Sequence, residues 1–230
     1  MKNINKPERI LGAFFLIDFI VSIAAFITGL MIKQRCIIPG NFGKTMINIV
    51  NNPWLLKANI FGETLTSITL VILASFLFII LKKQNEKVAL VGLVLYILGA
   101  SVLAASRIPL YELISISKSY KILGEPVYLR ALGQTLFDST EYTLTLIGLP
   151  LTIGLFLFYL LFYQSRVIPS FLSLWGMIAV LFLLAATVIG ICEYEVPFFL
   201  YIPYMPFEPV IGVWILVKGI NIDQEGIING

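Results

Sequence analysis

Histidine is absent from this 230-residue chain, cysteine occurs only twice, and Asp, Glu, Lys and Arg together make up 13% of it. The first absence removes the commonest general base and the commonest metal ligand. Two cysteines far apart, Cys36 and Cys192, support neither a cysteine zinc site nor a disulfide scaffold. Charge is scarcest of all. A soluble domain is about 25% charged and about 45–50% apolar, whereas this chain is 59% hydrophobic with a mean hydropathy of +0.95. So little charge cannot cover a surface that faces water. The net charge of +3 is spread along the chain without a Lys/Arg run or an aromatic-studded basic stripe, so nucleic acid is not expected as a partner. There is no Gly-Xaa-Ser-Xaa-Gly elbow and no HExxH, and the turn at Gly124 has no phosphate-loop pattern. No cofactor or metal is expected, and an enzyme is the weaker expectation.

What the chain has instead is long apolar runs. A helix needs roughly 20 apolar residues to cross a hydrocarbon core of about 30 Å. Six segments approach that length: Ile10–Ile32, Leu65–Leu81, Val88–Ser106, Tyr142–Tyr163, Val167–Cys192 and Val196–Val217. Only the first, with Asp18, and the last, with Glu208, contain a charged residue. The fold expected is an all-α membrane bundle of about six transmembrane helices forming one polytopic domain over residues 1–230, because backbone in lipid must satisfy its own hydrogen bonds. The first segment exceeds a signal-peptide apolar region and ends at no small-residue cleavage site, so it is expected to be a retained span. Asn52-Pro53 reads as a cap and first-turn pair starting the second span early.

Lys2, Lys6 and Arg9, the turn Lys82–Lys87, Arg166 and Lys218 alternate along the chain as one side of a membrane should. This places both termini in the cytoplasm and the protein in the inner cell membrane. The connections 33–59 and 107–141 then face outward, each expected to hold an interfacial helix. Val127–Phe137 can be drawn as such a helix, followed by Asp138-Ser139-Thr140-Glu141 as a capping box for the fourth span. Gly92, Gly99, Gly148 and Gly154 suit close helix packing, and Trp54 and Trp175 suit interface anchors.

Three stretches then form a recognisable pattern: Lys82-Lys83-Gln84-Asn85-Glu86 before an apolar helix, Ser165-Arg166-Val167-Ile168-Pro169 leading to Trp175-Gly176, and Glu208 with Trp214-Ile215-Leu216-Val217-Lys218-Gly219. Together they resemble the bacterial domain-of-unknown-function 4386 family, small multi-pass inner-membrane proteins without an assigned activity, over about Arg9 to Ile220. The family pattern carries an Arg and a Glu in the third helix, where this sequence has Tyr96 and Gly99, and an uncharged residue where it has Asp18.

Ionisable groups inside a bilayer cost about 2.5–3.5 kcal/mol each on insertion scales and tend to be paired or functional. At a rise of about 1.5 Å per residue, Asp18 and Tyr96 lie roughly 13 Å, and Glu208 roughly 15 Å, from the inner ends of their helices. Three polar side chains thus share one level. Pro203, Pro206 and Pro209 recur every third residue and forbid a continuous helix. The expectation is an irregular segment Tyr194–Met205, then a helix from Pro206 or Phe207 with Glu208 in its first turn. Glu208, Asp18, Tyr96, Tyr201 and Tyr204 are the candidate ligand-binding residues, at the floor of an outward-facing cavity for a small or amphipathic solute. The plainer reading is that each carboxyl is separately satisfied inside the bundle. Glu63, Arg107 and Glu141 count out to roughly 28–40 Å, at the far headgroups, and could rim a vestibule with Arg107 paired to either acid. Cys36 and Cys192 both fall on that side, as a disulfide or as two thiols. Beside the lipid bilayer, the partners to consider are a small or amphipathic solute and another membrane protein. The alternative function is a structural or regulatory accessory protein without a solute, and after it an intramembrane enzyme using paired carboxylates.

Overall fold

The computed structural model describes residues 7–220. Lys2 and Lys6, used above for orientation, lie outside the described residues. The described chain is helical throughout: α1 (Pro7–Arg35), α2 (Phe42–Asn51), α3 (Pro53–Leu81), α4 (Glu86–Ala105), α5 (Arg107–Ile122), α6 (Val127–Ser165), α7 (Ser170–Ile191), a 3-10 turn (Phe198–Leu200) and α8 (Phe207–Lys218). Five stretches are long and apolar enough to cross a membrane: Arg9–Arg35, Pro53–Leu81, Glu86–Ile122, Val127–Ser165 and Ser170–Ile191. Their outward faces are apolar. Leu90, Val91, Val94 and Leu98 on α4, and Phe171, Leu174, Ile178 and Leu181 on α7, are all exposed. In water such faces would aggregate; in hydrocarbon they are at home.

The sixth expected span, Val196–Val217, is not one helix. Its proline-rich half is a 3-10 turn and successive turns, and only the 12 residues of α8 are helical. By rise that is about 18 Å, short of a crossing. The start of α8 at Phe207, with Glu208 in its first turn, is where the prolines put it.

Three other expectations change. Asp138–Glu141 does not open a helix, because α6 runs unbroken from Val127. Nothing in residues 127–149 removes a backbone donor, so the amphipathic stretch continues straight into the span. Thr140 and Thr143 instead bond back to Leu136 O and Ser139 O, at 3.1 and 2.7 Å. Second, α3 does begin at Pro53, but the Asn52 amide turns back to Asn48 O at 3.1 Å rather than capping forward. Third, both cysteines are free thiols, Cys36 buried and Cys192 exposed, so the disulfide alternative is not adopted.

The chain divides into two compact units. One comprises the described residues up to Phe19, Thr69–Ala100 and the chain from Gly148 on. Its core is large and aromatic, with Phe15, Leu73, Leu77, Phe158, Tyr159, Phe162, Phe207 and Ile211 all fully buried. Here α1 meets α8 so closely that a Cβ on Gly12 would lie 2.6 Å from Leu216 N and 2.9 Å from Gly212 O. Likewise α4 meets α6 through Gly92 and Gly154, whose Cβ would come within 3.0 Å of Gly92 O. The expected small-residue packing is present.

The other unit comprises Ile20–Ile68 and Ser101–Ile147. In it α2 packs on α5 through an apolar face of Met46, Ile49 and their neighbours, against Leu113, Ile114 and Tyr120. Asn41 caps α2 by accepting from Lys44 N at 3.1 Å, and Thr45 Oγ1 accepts from Ile38 N at 2.8 Å. Each long connection therefore does carry a helix of its own.

Candidate functional site

Asp18 sits on α1 and Glu208 in the first turn of α8, and the close α1–α8 approach brings both carboxyls to one buried place. Asp18 is 2% exposed and Glu208 9%. The two carboxyls lie within hydrogen-bonding reach of each other, where a shared proton would relieve their repulsion. The Thr69 hydroxyl of α3 also donates to Asp18 Oδ1. Thr69 at Asp18 and Tyr204 at Glu208 also fit the plainer expectation that each carboxyl is satisfied separately.

Tyrosines surround the pair. Tyr204, half-buried just ahead of α8, turns its hydroxyl to Glu208. Tyr96 on α4 and Tyr159 on α6, both fully buried, lie within electrostatic reach of both carboxyls. Tyr159 Oη sits beside the Tyr204 hydroxyl but completes no hydrogen bond among the described residues. An orphaned buried hydroxyl is costly unless something comes to it. Tyr201, the other tyrosine expected here, is exposed and packs against Phe198 instead.

The scaffold holding Glu208 is aromatic. Phe207 packs edge-on to Tyr159, with ring centroids 5.1 Å apart, and against Trp175 at 5.5 Å. Trp175, expected as an interface anchor, donates its indole N–H to Pro203 O at 3.0 Å. One bond thus ties α7 to the irregular segment that precedes α8. Gly176 leaves the room, since a Cβ there would lie 2.7 Å from the Phe207 ring.

Two members of the site were not singled out in the sequence. Thr69 stood in an uncharged apolar run, where a lone hydroxyl signals only that some partner exists. Tyr159 was one of several aromatics on α6, and only tertiary packing picks it out.

The outer candidates Glu63, Arg107 and Glu141 line one cavity, with Arg107 itself only 4% exposed. Its Nε and Nη2 donate to Ser106 Oγ at 3.0 and 2.8 Å, and its Nη1 to Asn59 Oδ1 at 3.2 Å. Asn59 Nδ2 in turn donates to Ala25 O at 3.0 Å, across from α3 to α1. Glu141 pairs with Lys33 at 3.3 Å, both ends partly exposed, and not with Arg107. Glu63 is half-buried and opposes the Arg107 charge from beyond ion-pair distance.

Apolar outward faces and a carboxyl pair held in the interior define a helical membrane protein with a buried polar site. The family follows directly: the model for Domain of unknown function (DUF4386) matches residues 10–219, and the chain belongs to that family. No curated protein and no solved structure matches it.

Proposed function

We propose that this chain is a multi-pass protein of the inner cell membrane that binds an exchangeable proton, or a small monovalent cation in its place, at Asp18 and Glu208. In this reading the site couples that ion to the binding or transport of a small or amphipathic solute. The chain acts as a single polytopic domain with cytoplasmic termini. The segment Tyr194–Met205 returns into the bilayer, and α8 completes the sixth crossing from its middle.

The observation that carries the proposal is the carboxyl pair at the start of a broken helix. Backbone that is not helical at membrane depth is tolerated only in protein or beside a wet cavity, and such breaks recur at ion and substrate sites. The chemistry suits the role. With one proton the two carboxyls satisfy each other at no net gain of repulsion. Without it, carboxylate oxygens and the hydroxyls of Thr69, Tyr204 and Tyr159 form an oxygen-lined place for a hard cation. The spare Tyr159 hydroxyl is a ligand that the protonated state leaves unused.

Proton release tests this. In weakly buffered detergent solution, sodium, lithium or potassium chloride added to the wild type should release up to one proton per chain. Choline chloride should release none, and neither Asp18→Asn nor Glu208→Gln should respond. Equal release from wild type and both variants would place the protons elsewhere. A wild type inert to every cation and at every pH would favour the accessory, non-binding role.

A further inference from the structure

Besides the carboxyl pair, we infer that the second unit carries a binding site for a zwitterion, an ammonium group a few atoms from a phosphate or carboxylate, with its oxyanion on Arg107 and its ammonium at Glu63. The inference does not rest on the ion-coupled reading of Asp18 and Glu208.

A cavity of about 240 Å³ lies between α1, α3, α5 and α6 in this unit. Its charged lining is Lys33, Glu63, Arg107 and Glu141. Lys33 and Glu141 neutralise one another. That leaves Arg107 and Glu63 in the lining, and among the described residues no carboxylate comes within ion-pair distance of Arg107. Among the described residues the guanidinium is held by neutral oxygens, those of Ser106 and Asn59, with donors to spare. A buried cation served only by neutral dipoles is an unfinished arrangement, and a guanidinium fork is the natural receptor for an oxyanion.

An anion alone would meet Glu63 across the same cavity and be repelled. A ligand with a positive group beside its negative one answers both charges and leaves the site neutral. The size agrees, because the cavity is smaller than a typical drug-sized pocket of roughly 300–1,000 Å³ and suits a headgroup or an amino-acid-sized molecule. So does the wall. Phe26 and Leu30, one turn apart on α1, line the cavity and are also exposed outward, leaving an apolar side along which a chain can trail. Two sources supply this chemistry: a phosphatidylethanolamine headgroup, or a free zwitterion such as phosphoethanolamine.

Native mass spectrometry of the full-length protein, in detergent with equal amounts of phosphatidylethanolamine and phosphatidylglycerol, reads the site. Wild type should retain phosphatidylethanolamine at least ten-fold over phosphatidylglycerol. Glu63→Gln should erase that preference while leaving phosphatidylglycerol binding unchanged or stronger. Arg107→Gln should lose both lipids; if that variant fails to fold, Glu63→Gln alone decides. Displacement of the lipid by soluble phosphoethanolamine at equal concentration would identify the free zwitterion as the ligand, and its failure would identify the lipid. No preference in the wild type, or a preference that survives Glu63→Gln, overturns the inference.

Discussion

At Asp18 the balance of forces is visible in a single side chain. A carboxyl inside hydrocarbon must be neutralised or bonded, and here the Thr69 hydroxyl donates to it and Glu208 lies beside it. Thr69→Val keeps the shape and removes the hydroxyl, leaving a buried acceptor short of a donor, which costs about 1–3 kcal/mol. Thermal unfolding in detergent should show the loss, and an unchanged midpoint would mean the bond carries no weight. The cysteines give a second test at this scale. Burial pushes the Cys36 thiol up, with the neighbouring Arg35 charge offsetting part of the rise. The thiolate is the reactive form, so at neutral pH Cys36 is both covered and protonated. Maleimide should label Cys192 within minutes in folded protein and reach Cys36 only on unfolding. Which residues matter was half legible in the chain. Two acids in otherwise uncharged runs stand out to anyone counting, and equal depths hinted that they meet. Thr69, Tyr159 and Asn59 did not stand out, because a threonine, a tyrosine or an amide in an apolar run looks the same whether or not a partner waits across the gap. Arg107 was legible only in part, because counting along a helix says nothing of whether a side chain turns outward or in.

Elements bring those residues together, and the crossing of α1 and α8 is the decisive one. Gly12 allows it, since any side chain there would strike the α8 backbone at Gly212 and Leu216, which cannot move aside as a side chain can. Gly12→Ala should therefore destabilise by about 1–3 kcal/mol and abolish cation-induced proton release. Gly29→Ala is the control: its Cβ would sit 3.6 Å from Asn59 Nδ2, an ordinary contact, and the melting midpoint should barely change. Similar losses in both would show that helix glycines, rather than this crossing, set stability. The proline spacing at 203, 206 and 209 made the break before α8 legible, because a missing backbone donor acts locally. What it could not show was how the irregular segment is held. That depends on the Trp175 indole reaching Pro203 O, a contact 28 residues apart in sequence. The capping signature at Asp138–Glu141 failed in the opposite way: a local preference for starting a helix is worth little where a helix is already running from Val127.

For the whole molecule, composition alone pointed to the bilayer, and the exposed apolar faces of α4 and α7 agree. Orientation is testable on the intact protein. Cysteines placed at Gln84 and Ser165, in a background lacking Cys36 and Cys192, should be labelled only from the cytoplasmic side by a membrane-impermeant maleimide in spheroplasts and inverted vesicles. Native Cys192 should be labelled only from the other side; labelling of all three from one side would contradict the topology. The larger question is whether the buried pair exchanges its proton or is merely sealed. Infrared difference spectroscopy of the protein in lipid, titrated in pH, answers it most directly. A protonated-carboxyl C=O band should disappear and return reversibly as pH is raised and lowered, altered in Asp18→Asn or Glu208→Gln and lost in the double variant. A band that persists unchanged across the whole range in which the protein stays folded would contradict it and make the pair a structural bolt between α1 and α8.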